Sequence, residues 1–306
     1  MRNPKLLLID GNNMCHRVFW AHKDLSHAGR ATGVLYGFMK QLTSLHKQFP
    51  EHFRIISWDR GYTRRKAESE EGVSQGIVPE SYKAAREQKK EDGDAETQAK
   101  MEELREQMGQ LEVLLKLVRC IQVEREGVEG DDILHSYART YLKWDAESVI
   151  VSSDQDFYQC IDKGISIYDA MKKETWNLER FETEFEFHPS LWVDVGAIQG
   201  EVGPSKDNIF GVDGWGPVNA VKYVRQYGDV DAIIEGLKAK KKRGKKEETF
   251  LNSIPRLRLA KSLKRMDIIP QLPKPRVMVP LTKEALETKF LEFGFASLLK
   301  EIWRLI

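Results

Sequence analysis

The chain has 306 residues, is 31% charged and 41% hydrophobic, and carries a net charge of +1, enough for one large or two ordinary soluble domains with a real core. Its longest apolar runs fall far short of the roughly 20 residues that span a bilayer, and Met1 to Lys5 leads into a strand without a signal-peptide pattern, which argues against a membrane protein. Cys15, Cys120 and Cys160 have no metal-ligand spacing and read as reduced, structural thiols of a cytoplasmic protein.

In chain order, residues 5–10 read as a buried strand in which Asp10 follows Leu6-Leu7-Leu8-Ile9. Thr32 to Phe49 reads as an amphipathic helix with Leu35, Phe38, Met39, Leu42 and Leu45 on one face. Residues 53–58 give a second strand, with Asp59 at its end. From Gly61 to about Ala99 the sequence is polar and charged, broken by Gly72, Gly76, Pro79 and Gly93, and a segment of that length inside a domain is usually functional or disordered. Helical periodicity returns over Met101–Arg119, and residues 121–124 alternate like a short strand. Gly127-Val128-Glu129-Gly130-Asp131-Asp132 places three acids in four positions at the start of a helix running to Lys143, where the macrodipole favours them. Strand 148–153 with Asp154 and Asp156 after it, a helix over Phe157–Ile161 and strand 165–169 continue a β/α alternation that predicts a mainly parallel sheet. Beyond a boundary near residue 184, Pro189–Gln199 and Ala220–Tyr227 look helical around a Gly- and Pro-rich stretch, Gly200–Gly216. The last third is helical, interrupted by the basic run Lys238–Lys246 and by Pro270, Pro273, Pro275 and Pro280.

Acids at the ends of parallel strands meet at one edge of the sheet, where open α/β folds bind their ligands. Packed together they repel, and protons or cations must relieve them; divalent metal fits best. Glu129 and Asp132, spaced i and i+3, face nearly the same way and Asp131 points elsewhere. Capping explains one or two acids there, not three beside Asp154 and Asp156. Magnesium takes one or two protein carboxylates per ion, so this many suggests two ions about 4 Å apart across a phosphodiester. Asp10-Gly11-Asn12-Asn13 also evokes aspartyl-nucleophile phosphatases, but those place a second Asp where Asn12 stands. Basic runs at Arg60–Lys66, Lys83–Lys90 and Lys238–Lys246 suit a polyanion, although any single run can be a solvated loop. Lys83 and Arg86, at i and i+3, would share a face suited to polarising a phosphate. The stretch Gly211-Val212-Asp213-Gly214-Trp215-Gly216 followed by a helix reads as a hairpin whose amides bind a DNA backbone, with Lys222 and Arg225 downstream.

Taken together, Ile9-Asp10-Gly11-Asn12-Asn13, Trp58-Asp59, Tyr82-Lys83 with Arg86, Gly127 to Asp132, Ser152-Ser153-Asp154-Gln155-Asp156 and Asp207-Asn208-Ile209-Phe210-Gly211-Val212 resemble, in order and spacing, the flap endonuclease and 5′→3′ exonuclease family of phage and bacterial type, including the N-terminal nuclease domain of bacterial DNA polymerase I. The resemblance covers Asp10 through about Gly228. It implies an α/β fold with a PIN-like, mainly parallel sheet flanked by helices over residues 1–184, a helical arch over residues 61–99, and a helical region over 185–306 containing a helix-three-turn-helix. It assigns Asp10, Asp59, Glu129, Asp131, Asp132 and Asp154 to a first Mg2+ or Mn2+, directly or through water, and Asp156, Glu201 and Asp207 to a second. Lys83 and Arg86 would engage the scissile phosphate, Tyr82 with Gly211, Val212, Gly214, Gly216, Lys222 and Arg225 would bind DNA, and K+ would assist at the helix-three-turn-helix.

The implied activity is metal-dependent cleavage of DNA at 5′ flaps, nicks or 5′ ends, including RNA–DNA primer hybrids, in replication or repair, by a stand-alone monomeric nuclease whose arch segment orders around a single strand. Two departures stand out. Glu201, at longer spacing from Asp207, replaces the first of the family's two aspartates, and Pro217-Val218-Asn219 stands where a Lys or Thr is common. The alternatives are a DNA-binding protein of the same fold that has lost cleavage, and a PIN-type ribonuclease.

Overall fold

The apolar runs that end in acids become adjacent strands of one sheet. The computed structural model describes residues 3–91, 94–118, 120–203, 206–273 and 283–302; Gly93, Arg119, Pro204, Ser205, Pro275 and Pro280 lie outside them. The central sheet has the order β5-β4-β1-β6-β7-β8, formed by β1 (Lys5–Asp10), β4 (Phe53–Trp58), β5 (Cys120–Glu124), β6 (Glu147–Val151), β7 (Ile165–Asp169) and β8 (Glu174–Trp176). All neighbours are parallel except β7 and β8, an antiparallel edge. Two two-residue strands, β2 (Ser26–His27) and β3 (Arg30–Ala31), form a separate hairpin.

Successive strand side chains point to opposite faces, and here both faces are covered. Leu6, Leu8 and Ile55 join one core cluster, with α6 (Gly130–Leu142) and the C-terminal helices. Leu7, Ile9 and Ile56 join the other, with α1 (Gly11–Ala21), α2 (Gly33–Gln48), α5 (Ala95–Leu115) and α13 (Lys283–Glu292). Burial on both faces explains why these strands read as continuous apolar runs instead of alternating ones. The chain moves outward from β1 to β4 and β5, then returns to the far side of β1 as β6. Strand order therefore reverses beside β1, at the switch point where such sheets open a crevice at the carboxyl ends.

Much of segment 61–99 is helical, forming α3 (Thr63–Ser74), α4 (Ala84–Glu91) and the first turn of α5. The buried positions of α3 are Arg65, Ser69 and Gly72, a polar face that no apolar pattern reveals. The expected helix over Phe157–Ile161 is a 3₁₀ turn, Gln155–Cys160. The boundary expected near residue 184 falls inside α7 (Leu178–Phe185), and the first core cluster runs across it to α8 (Trp192–Gln199), α9 (Pro217–Tyr227), α10 (Val230–Lys238), α11 (Lys245–Asn252) and α12 (Ile254–Lys264). In the basic run, Lys240 pairs with Glu247 and Arg243 with Glu248. The three cysteines are free and buried, and among the described residues no helix is long and apolar enough to cross a membrane.

Candidate metal centre

At the carboxyl edge of the sheet lies a cleft of about 280 Å³. Seven carboxylates line it: Asp10, Asp59, Glu129, Asp131, Asp154, Asp156 and Asp207, with Arg65, Lys83, Arg86 and Lys264 as its side-chain cations. Asp10 ends β1 and caps α1, its carboxylate accepting from the Asn13 amide at 3.0 Å. Gly11 follows because a Cβ there would lie 2.6 Å from the Ser57 carbonyl. Asp59 leaves β4; its own amide donates to Asn12 Oδ1 at 3.0 Å, and its Oδ1 accepts from the Gly130 amide at 2.6 Å. Gly130 leaves that carboxylate room, since a Cβ would meet the same Oδ1 at 2.9 Å and push it aside. Asp131 Oδ1 accepts from the Asp132 amide at 2.6 Å, and Asp154 Oδ1 from the Asp156 amide at 2.8 Å.

Four acids thus each commit one oxygen to a backbone amide, which fixes the carboxylate; the other oxygen of Asp10 accepts from Ser152 Oγ at 3.2 Å and that of Asp131 lies 3.7 Å from Arg65. Their protons are held tightly. Burial, then Asp59, pushes Asp10 up to about 8. Asp154 opens to solvent at the cleft mouth yet is ringed by protein atoms, and that burial, with Asp156 next, raises it to about 7. Burial also raises Asp59 and Asp131 above the usual carboxylate range. Among the described residues, Asp10, Asp59 and Asp154 have no ion-pair partner within 4.0 Å. An all-oxygen set of fixed carboxylates short of cations suits a hard divalent ion.

Glu129 and Asp132 differ in having a close cation. Arg65, its side chain only 4% exposed, pairs with Glu129 and grips both oxygens of Asp132 at 3.0 and 2.9 Å. Asp132 Oδ1 also accepts from the Asp267 amide at 2.8 Å. Although Glu129, Asp131 and Asp132 bring one ligand atom each within 4.8 Å of the others, Asp132 turns away from the cleft and anchors Arg65. Lys83 pairs with Glu129, its ammonium between the rings of Tyr62 and Tyr82 at 4.9 and 5.0 Å. Its backbone sits in the left-handed region at φ 60°, sparsely populated by non-glycine residues and frequent at functional sites.

The acids expected to hold a second ion are already occupied. Lys264 Nζ lies 2.8 Å from Asp156 and 2.7 Å from Glu201, and Arg86 lies 2.5 Å from Asp207. Burial raises Glu201 and Asp207, but Lys264 in one case and Lys83 with Arg86 in the other outweigh it and hold both below the usual range. Glu201 does not line the cleft; a bridge to Ile209 closes the loop between it and Asp207. With the buried Lys264 held against both, Asp156 and Glu201 do not fit a second divalent ion in this arrangement.

The remaining expected positions lie elsewhere. Gly211, Val212, Gly214 and Gly216 line a separate concavity before α9. Val212 is buried, and Gly211 packs against Gly200 so closely that neither tolerates a Cβ. Lys222 is exposed on α9, whereas Arg225 bonds the Phe185 carbonyl at 3.1 Å and pairs with Glu186. Sequence reasoning missed Lys264 and His16, and placed Arg65 in a basic run suited to a polyanion instead of against Glu129 and Asp132. The stripe Leu257, Ala260, Lys264 at helical spacing was a readable sign that Lys264 points inward.

The family described as the 5′-3′ exonuclease, N-terminal resolvase-like domain, matches residues 5–186. A DNA polymerase I of Rhizobium leguminosarum is 29% identical over 87% of this chain and 25% of its own length, so the chain spans about a quarter of that relative. A 5′-3′ exonuclease of Aquifex aeolicus is 26% identical over 97% of this chain and 94% of its own. The solved structure of T5 5′-exonuclease with bound zinc ions is similar with a TM-score of 0.70 at 19% identity, over 98% of this chain and 99% of that one, a likeness of fold.

Proposed function

Because this chain belongs to the 5′-3′ exonuclease family, we propose that it is a divalent-metal-dependent, structure-specific 5′ nuclease that hydrolyses DNA phosphodiesters at flaps, nicks or 5′ ends, as in primer removal or repair. The observation that carries this reading is the convergence of Asp10, Asp59, Asp131 and Asp154 from three strand ends and a helix start into one cleft walled by Lys83 and Arg86. Those four carboxylates would hold one Mg2+ or Mn2+, which when bound supplies Lewis-acid polarisation of the phosphate and acidifies water. Residues 1–184 would carry this centre, and residues 185–306 would hold duplex.

The chain's own groups divide the remaining work. Lys83, just before α4, and Arg86, in its first turn, rest on Glu129 and Asp207; an incoming phosphate offers both a stronger anionic partner and bidentate geometry for Arg86. Tyr82, hydrogen-bonded to Asp207 at 3.2 Å, holds the start of that helix against the cleft. A groove of about 940 Å³ between α1, α4 and α5 shares His16 and Arg86 with the cleft and carries Trp20, Lys89, Lys100 and Arg105. Exposed aromatic and basic side chains of this kind suit a single strand, by stacking and phosphate contact. The concavity at residues 210–216 and exposed Lys222 suit the duplex backbone and a monovalent cation.

Cleavage of a 5′-labelled DNA flap, with Mg2+ and with chelator, tests the reading. Asp131→Asn and Asp154→Asn are each expected to abolish cutting while flap binding persists. Near-normal turnover in both variants refutes the metal mechanism. Flap binding without any metal-dependent product would make the protein a structure-specific DNA-binding module.

A further inference from the structure

We propose that the Lys264 ammonium is a resident cation standing where a second divalent ion would otherwise sit, so that this chain binds a single divalent ion. The proposal rests on the metal-nuclease reading above and sharpens it. An ammonium has three donors, and Lys264 places three carboxylate oxygens around its own: Asp156 Oδ1 at 3.1 Å, Asp156 Oδ2 at 2.8 Å and Glu201 Oε2 at 2.7 Å. Asp156 thereby has both oxygens engaged, and the other Glu201 oxygen accepts from Lys206 at 3.2 Å.

This lysine is built in. Its side chain is 4% exposed, and its stem runs over Gly196, where a Cβ would approach Cγ and Cδ to 3.4 Å. The backbone around it is pinned by two buried side chains. Gln159 Nε2 donates to the Lys264 carbonyl at 3.1 Å while its Oε1 accepts from the Met266 amide at 3.0 Å, and Arg65 Nε donates to the Leu263 carbonyl at 2.9 Å. A surface lysine swings aside when a metal arrives; one with its stem packed and its backbone held on both sides does not. A divalent ion entering between Asp156 and Glu201 would face like charge at contact distance in a partly desolvated site. The cleft is therefore asymmetric. Asp10, Asp59 and Asp154 lack ion pairs among the described residues, whereas Asp156 and Glu201 are neutralised by the chain itself.

Counting bound Mn2+ by electron paramagnetic resonance on the full chain, without DNA, tests the assignment. The wild type is expected to bind one Mn2+. Lys264→Met keeps the stem and removes the charge, and is expected to bind a second Mn2+ at least tenfold more tightly than the wild type does. Glu201→Gln is expected to leave the single-ion affinity within twofold, because Glu201 serves Lys264 and not the metal. Two ions of similar affinity in the wild type, or one ion in a folded Lys264→Met chain, overturns the proposal while sparing the nuclease reading. If Lys264→Met does not fold, a tenfold loss of Mn2+ affinity in Glu201→Gln overturns it, and an unchanged affinity supports it. A wild type that binds no Mn2+ removes both readings.

Discussion

Replacing Arg65 with alanine removes the cation on which two buried acids depend, and the structure sets the size of the effect. All the guanidinium N–H groups have partners: Nε bonds the Leu263 carbonyl, Nη1 reaches Glu129 and Asp132, and Nη2 reaches Asp132 and, at 3.2 Å, the Arg265 carbonyl. Without it Glu129 keeps Lys83 and Tyr82, but Asp132, its side chain 9% exposed, keeps only the Asp267 amide and a helix N-terminus. Removing one partner of a buried pair costs about 3–5 kcal/mol, and the freed carbonyls of residues 263 and 265 deepen that loss. At roughly 2–4 °C per kcal/mol for a domain of this size, Arg65→Ala is expected to melt about 6–20 °C lower. Urea unfolding followed by circular dichroism in chelator measures it directly. The double variant Arg65→Met with Asp132→Leu is the informative control. Exchanging the pair for apolar groups should recover more than half of the loss, because the uncompensated charge is gone. A single-variant loss below about 1 kcal/mol, or a double variant no better than the single, would refute the reasoning.

Two further outcomes follow from the cleft's electrostatics. Lys83→Ala is expected to slow single-turnover cleavage by about a hundredfold or more while changing flap affinity only a few-fold; equal losses in both would reduce Lys83 to a simple phosphate contact. Asp10 and Asp154, raised to about 8 and about 7, make the metal-free native state bind more protons than the unfolded chain between roughly pH 4 and 8. Their contribution to stability therefore falls as pH rises across that window. Burial lowers His135 to about 4, and a histidine held neutral adds stability with the opposite slope, so the total for the metal-free protein is a poor readout. The Mg2+-induced rise in Tm isolates the acids, since metal and protons compete for them. It should grow steadily from pH 6 to 8.5, and a constant or shrinking rise would contradict the assignment.

Most of the acid cleft was legible in the sequence because its signals are local. An apolar run ending in an acid states both the strand and the direction in which the side chain is delivered, and residues 5–10 and 53–58 fold as the strands so read. At the start of α6 the expected opposition holds only in part: Glu129 lines the cleft together with Asp131, and Asp132 alone turns away from it to Arg65. What escaped was whatever depends on residues distant in sequence. Helix α1 opens Gly-Asn-Asn, poor helix formers, and exists because Asp10 caps it and because Met14, Cys15, Val18 and Phe19 find a cluster contributed by α2 and β4. The short edge strand β8, Glu-Thr-Trp, has no alternation long enough to read and is defined by its pairing with β7.

The two buried cations illustrate why charge in a sequence is ambiguous until its partners are placed. Arg65 sits in a basic run that reads as a polyanion contact or a solvated loop, yet its helix turns Arg65, Ser69 and Gly72 inward. Gly72 makes room for Leu259 of α12 and Ser69 Oγ accepts from the Tyr82 amide at 2.9 Å, while the carbonyls at the end of α12 provide Arg65 with acceptors that no local pattern announces. Arg65 bonds the carbonyls of residues 263 and 265, which flank Lys264, so the two cations are mechanically linked. The side chain that neutralises Glu129 and Asp132 also fixes the backbone from which Lys264 reaches Asp156 and Glu201. Removing Arg65 should therefore loosen the second position as well as destabilise the first. A gain of Mn2+ binding in Arg65→Ala, at temperatures where it remains folded, is the signature of that linkage, and unchanged ion stoichiometry would show that Gln159 and the Gly196 channel hold Lys264 in place without it.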